Sequence, residues 1–205
     1  MAAIIAIEDV ERIRAQVARA NELAAARFRE SFAAQSDIPP NERWRSHLEI
    51  QAGALLETAR DVRAHGRVHY DLMGRTVIPF VVRGEPLFRH FAIAKTPAAL
   101  FEYWIVVSSI LASSQWSVTK VIATSEEYNA ALAKMQQPQI VRALIASFLP
   151  EAEWRDDGGA HLEVTLYTRA DEERIERRLL TMGADQEWTF HSRELIAEGR
   201  GGVRV

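Results

Sequence analysis

His69, Asp71, His90 and Glu102 are the residues whose types and spacing come nearest to a chemistry. His69 and Asp71 stand two apart, which on a strand puts both on one face. His90 falls on the last of three strand-like stretches, 67–72, 76–83 and 86–93, joined by Met73-Gly74-Arg75 and Gly84-Glu85. Only tight turns join strands through two or three residues, so this spacing predicts an antiparallel meander. With neighbouring strands ~4.8 Å apart, His69 and His90 would sit roughly 10 Å from each other and flank a small ligand. Glu102 opens the apolar helix that follows. Such a set suits general acid–base work or a two-His-one-carboxylate metal site. The plainer reading, preferred here, is sheet surface, with Glu102 complementing the helix dipole or pairing with Arg83 or Arg89.

Other chemistries find less support. His65 and His69 have the four-residue spacing of two metal ligands on a helix. Gly66 takes the place of the glutamate in that motif and ends the helix, so the spacing reads as accidental. The chain has no cysteine, which excludes thiol nucleophiles, thiolate metal sites and disulfides. It contains no GxGxxG, GxxxxGK[ST] or GxSxG, so no phosphate loop or nucleophile elbow is expected. No cofactor and no metal are expected.

The elements that would position these residues follow from periodicity. Val10, Ile13, Val17, Ala20 and Ala24 recur at helical spacing within 8–34, with Phe28 and Phe32 widening the stripe. Gln35-Ser-Asp-Ile-Pro-Pro-Asn41 breaks that helix. Leu48, Ala52, Leu55, Ala59 and Val62 repeat the rhythm over 42–64. Two such helices around a short proline turn predict an antiparallel helical hairpin. Residues 97–113 are apolar nearly all round and predict a buried central helix. A strand is expected at 116–123, and Thr124-Ser-Glu-Glu127 is a capping box that opens a short helix. Further helices are expected at 139–149 and 171–182, a turn at Asp157-Gly158-Gly159, and strands at 161–167 and 187–197. A helix between the last two strands would make them parallel. The glycines of Gly199-Arg200-Gly201-Gly202 loosen the end of the chain. The expected fold is α+β: the hairpin, then a mixed, mostly antiparallel sheet (the meander plus the later strands) on the buried helix. Residues 1–65 and 66–205 are expected to act as one cooperative unit.

Composition narrows the function class. Of 205 residues, 48% are hydrophobic and 26% charged, enough for a core without staples. The net charge of −3 argues against bulk binding to nucleic acid or anionic membrane. Residues 1–95 carry 14 basic and 12 acidic side chains, and 96–205 carry 11 and 16, a mild dipole of +2 and −5. The arginines of the hairpin are interleaved with acids, as on a solvated face laced with ion pairs. The start, Met1–Glu8, lacks the features of a signal peptide. The apolar run at 97–112 falls short of the roughly 20 residues of a membrane span and contains Glu102. Only Lys95, Lys120 and Lys134 among 25 basic residues are lysine, a bias common in GC-rich bacterial genomes. The reading is a non-enzymatic, cytoplasmic bacterial protein that binds another protein or itself as a homodimer, in an accessory, inhibitory or regulatory role. The alternatives are a small-molecule binder or enzyme with a pocket between the meander and helix 97–113, and a nucleic-acid binder using the Arg-rich hairpin.

Overall fold

The computed structural model describes residues 1–33, 38–73, 76–80, 87–112, 118–142, 145–169 and 172–199. The Gly74-Arg75 and Gly84-Glu85 turns, Arg83, Trp116, residues 35–37 of the proline break and the tail from Arg200 lie outside them. In chain order the elements are β1 (Ala3–Ile4), α1 (Ile7–Phe32), α2 (Pro40–Thr58), β2 (Val62–Ala64), β3 (His69–Met73), β4 (Thr76–Phe80) and β5 (Phe91–Ile93). There follow α3 (Pro97–Ala112), β6 (Val118–Ile122), α4 (Ser125–Leu132), β7 (Gln139–Ile140), β8 (Glu151–Trp154), β9 (Ala160–Arg169), β10 (Glu173–Met182) and β11 (Trp188–Gly199). The class is α+β, a helix pair followed by strands, as expected. None of the helices among the described residues is long and apolar enough to cross a membrane. The chain forms two compact units of interleaved segments: residues 1–10, 96–101 and 116–205, and residues 11–95 and 102–115.

In the second unit the helical hairpin forms as the spacing predicts. Ile13, Ala20, Ala24, Leu48, Ala52 and Leu55 are buried. Arg43 lies 5.4 Å over the Phe32 ring, Phe28 meets His47 edge-on at 4.6 Å, and Arg12 pairs with Asp61 at 3.3 Å. Partners that climb on one side while they fall on the other mean antiparallel packing. Helix α2 is shorter than its apolar rhythm implies. It stops at Thr58, whose hydroxyl donates back to Ala54 O at 3.0 Å, and Ala59 is extended. Val62, read as the last stripe position, instead opens β2 and is wholly buried.

Among the described residues, which omit 81–86, only the first pairing of the expected meander is present. β3 and β4 pair antiparallel, with His69 opposite Phe80 and Asp71 opposite Ile78. The third stretch starts with a 3-10 turn at Leu87–His90, and its strand β5 pairs with β2 in a separate two-stranded sheet. β2 lay hidden in the apparent end of a helix, so its claim on β5 was not visible in the sequence. Helix α3 is buried as expected: Tyr103, Val106, Val107 and Ile110 are each at most 3% exposed.

The first unit is built on a seven-stranded sheet in the order β1-β8-β9-β10-β11-β7, with β6 also on β9. Every strand pairing among the described residues is antiparallel. The helix expected at 171–182 is strand β10, and it pairs antiparallel with β11 rather than through a crossover. Its Glu and Arg residues are good helix formers, but alternation decided: Ile175, Arg177 and Leu179 share one face and Glu176, Arg178 and Leu180 the other. The helix expected at 139–149 is absent among the described residues. Ile140 of β7 and the following Val141 stay exposed, while Ile145 and Phe148, further on, reach the core.

Other local signals hold. Thr124 caps α4 by accepting from Glu127 N–H at 3.2 Å, and the Glu127 carboxylate accepts from Ala123 N–H at 2.8 Å. The Asp157-Gly158-Gly159 turn joins β8 to β9. A side chain at Gly159 would lie 2.7 Å from Met182 O, so backbone contact requires glycine there.

One sheet face packs Tyr167, Ile175, Ile196 and Ile122 against Ala131, Met135, Tyr128 and Leu132. Tyr167 Oη donates to the buried Glu173 carboxylate at 3.1 Å. Burial first, and then this hydrogen bond, raise the phenol above its ordinary value. The folded state thus holds the Tyr167 proton more tightly than the unfolded chain. Its stabilising contribution is complete below about pH 10 and is lost as pH rises through the raised value. Melting temperature should fall between about pH 9.5 and 11 by more in the parent than in Tyr167→Phe. Equal falls in both would show that this phenol does not carry the effect.

Candidate functional site

The residues singled out by chemistry lie in the second unit but in different places. Glu102 and His90 belong to opposite ends of the β2–β5 ladder. At one end the Glu102 carboxylate accepts from the N–H groups of Arg60 at 3.1 Å and Asp61 at 2.7 Å. At the other, His65 N–H donates to His90 O at 2.8 Å. Three residue pairs intervene, from Val62–Ile93 to Ala64–Phe91, so the ends are about 13 Å apart along the strands. His69 belongs to the β3–β4 pair, where its Nδ1 lies 3.4 Å from Glu49 of α2 and its side chain is half exposed. Asp71 is exposed on the same strand. No group of three His, Asp or Glu among the described residues has the arrangement to hold a metal ion.

Glu102 is 1% exposed. Besides the two amides it approaches Arg12 Nη1 at 3.5 Å, and Arg12 Nη2 reaches Asp61. A carboxylate with three donors is a satisfied buried charge. It holds the chain where α2 ends and β2 begins. Glu102 pairs with Arg12 and not with Arg89, and Arg83, the other expected partner, lies outside the described residues. Arg12 lies 90 residues away in sequence, and no local pattern marks it.

Two features of the first unit were not singled out by sequence. The first is the outer edge of β11. β7 pairs only with Gln139–Ile140 against Ala197–Glu198, and the N–H groups of Val141 and Arg142 both donate to Ile196 O. From Thr189 to Leu195 no described strand pairs with the outer side of β11. Six consecutive residues, Thr189 to Glu194, are exposed, and Phe190 is 53% exposed with Arg178 over its ring at 5.9 Å. The open stretch is seven residues, about 23 Å of strand. Register shifts between Ile175/Glu176 and Leu179/Leu180 are bulges in the β10–β11 pairing. A signal for this edge was present: Thr-Phe-His-Ser-Arg alternates poorly and carries no apolar stripe, as a strand with little to bury should.

The second is a cavity of about 210 Å³ on the sheet face that carries Arg177. Arg177 donates to Glu163, to Ser147 O at 2.6 Å and to Glu151 at 3.0 Å. Arg142 and Glu194 form an ion pair on the same cavity. The reading of 171–182 as a helix concealed this set, because only a strand aligns Arg177 with Glu163 and Glu194. Comparison of the chain with family models, curated proteins and solved structures gives no match.

Proposed function

We propose that this chain is a non-enzymatic bacterial protein-binding module of the cytoplasm, acting by strand addition at the outer edge of β11. The observation that carries the reading is the run Thr189–Glu194, six exposed residues on a strand whose outer backbone groups have no described strand beside them. Such an edge is a template for another extended chain, with main-chain hydrogen bonds supplying affinity. The two bulges and the charges of Arg193 and Glu194 oppose indiscriminate pairing, so a matched partner is required. The absence of cysteine and the arginine-rich composition support the compartment and the source. A second copy is the simplest partner, because a two-fold axis pairs β11 with itself. The module's role is then accessory, inhibitory or regulatory, with the edge available to a partner protein when the pair separates.

Light scattering at tens of micromolar should give about twice the 23.1 kDa chain mass. The double variant Phe190→Lys and Ser192→Lys sets like charges across the pairing. It should return the mass to that of one chain while the far-ultraviolet circular dichroism spectrum keeps the parent's shape, because both positions are exposed in the single chain. A parent mass of one chain, with β11 amides that exchange as fast as those of a free edge, would reject the reading.

A further inference from the structure

Asp157 is the only aspartate or asparagine in the sequence that is followed by glycine. In such a pair the chain can attack itself, because glycine has no side chain to screen its backbone nitrogen. The Gly158 nitrogen bonds to Asp157 Cγ and gives up its proton, while the carboxyl gives up its hydroxyl. Proton and hydroxyl depart as one water and leave a succinimide ring. One water then reopens the ring. Cleavage of the new bond to Cγ restores aspartate. Cleavage of the original bond to the backbone carbonyl carbon gives isoaspartate, with the chain running through Cβ and Cγ. The reaction needs no reagent besides water.

The turn between β8 and β9 engages both reactants of the first step. Asp157 Oδ1 accepts from Gly159 N–H at 2.9 Å and from Arg155 Nε at 3.0 Å, and Oδ2 accepts from Arg155 Nη2 at 2.5 Å. The Gly159 amide first, and then Arg155, hold the carboxyl below its ordinary range. A carboxylate has no hydroxyl to release. The Gly158 N–H donates to Arg155 O at 3.2 Å and must be freed before its nitrogen can attack. Gly158 itself has φ +84°, a conformation that favours glycine, so a residue that would block the attack is strained there.

We propose that Asp157 is the site of spontaneous backbone isomerisation in this chain, and that Arg155 is the side chain that retards the reaction in the folded state. The product has one more carbon in its backbone. It arises in a turn so close-packed that a Cβ at Gly159 would lie 2.7 Å from both Met182 O and Arg155 Nη2. The lengthened turn must shift Gly159, and with it the bond of 2.9 Å from Arg155 N–H to Gly159 O that closes the hairpin. This inference does not depend on pairing at the β11 edge.

The test is long incubation of the full chain at mildly acidic and at neutral pH, folded in buffer and unfolded in guanidinium chloride. Digestion then separates the isoaspartate peptide, which keeps the parent mass, elutes apart and resists cleavage before Asp157. Isomerisation of the folded parent should be at least about tenfold slower than that of the unfolded chain, since the turn must open first. Arg155→Ala keeps both backbone bonds of residue 155, and in the folded state it should react about three- to fivefold faster than the parent at neutral pH. Arg155→Lys keeps the charge without the fork and should fall between the two; if Arg155→Ala does not fold, the lysine variant decides. The excess over the parent should shrink as pH falls toward the carboxylate range, about pH 4, where the carboxyl is protonated with or without Arg155. An excess equal at every pH would mean that Arg155 only stiffens the turn, and would overturn its role. Equal rates in the folded and unfolded parent, variants no faster than the parent, or isoaspartate arising first at another residue would overturn the proposal.

Discussion

Glu102→Ala should cost about 3–5 kcal/mol, measured by urea unfolding. The substitution leaves the part-buried N–H groups of Arg60 and Asp61 without their acceptor, and each such loss costs up to about 1–3 kcal/mol. It also leaves Arg12 with Asp61 as its remaining acid of the cluster. Glu102→Gln keeps one carbonyl oxygen in place and turns an amide toward the second N–H, so about half the loss is expected. Hydrogen exchange at Arg60 and Asp61 should quicken in both variants. If Glu102→Ala melts within about 1 kcal/mol of the parent, the carboxylate is not what draws the chain out of α2.

Leu55→Asp should be as damaging, about 4 kcal/mol or more, and is expected to leave little folded protein at 37 °C. Leu55 is 3% exposed, and around it stand Ile13, Val17, Ala59 and Val106. The void beside it measures about 10 Å³, space for one water at most, so a carboxylate there would stay almost unhydrated. Leu55→Ala separates packing from charge and should cost about 2–4 kcal/mol. A Leu55→Asp protein with the parent's melting temperature would mean that α1 and α2 do not share a seam in solution.

Both results test parts of the molecule that the chain announces to different degrees. The four-three spacing at Val10–Ala24 and Leu48–Leu55, the Thr124–Glu127 box and the Asp157-Gly158-Gly159 turn were legible because local geometry alone produces them. A helix face, a cap and a tight turn are each decided within a few residues. The apolar run of α3 likewise declared its burial. Glu102 was legible as a buried or dipole-compensating acid but not by its partners, since Arg12 and the 60–61 amides come from elsewhere in the chain.

What tertiary structure decided was every choice between competing local states. Residues 173–182 have helix-forming side chains and became a strand, because β9 and β11 on either side complete their backbone hydrogen bonds. Residues 59–64 continued an apolar helical rhythm, yet the Glu102 carboxylate took their amides and β5 took Val62–Ala64. That pairing took β5 away from the β3–β4 pair and left His90 in the 3-10 turn before β5, off the sheet that carries His69. The Arg177 cavity and the open β11 edge exist only once those pairings are made. The sequence by itself determined the α+β class, the helical hairpin, the buried helix and a chemistry without thiols. Strand partners and the clustering of distant charges were beyond it, because both depend on contacts whose energy arises only after the chain has closed long loops.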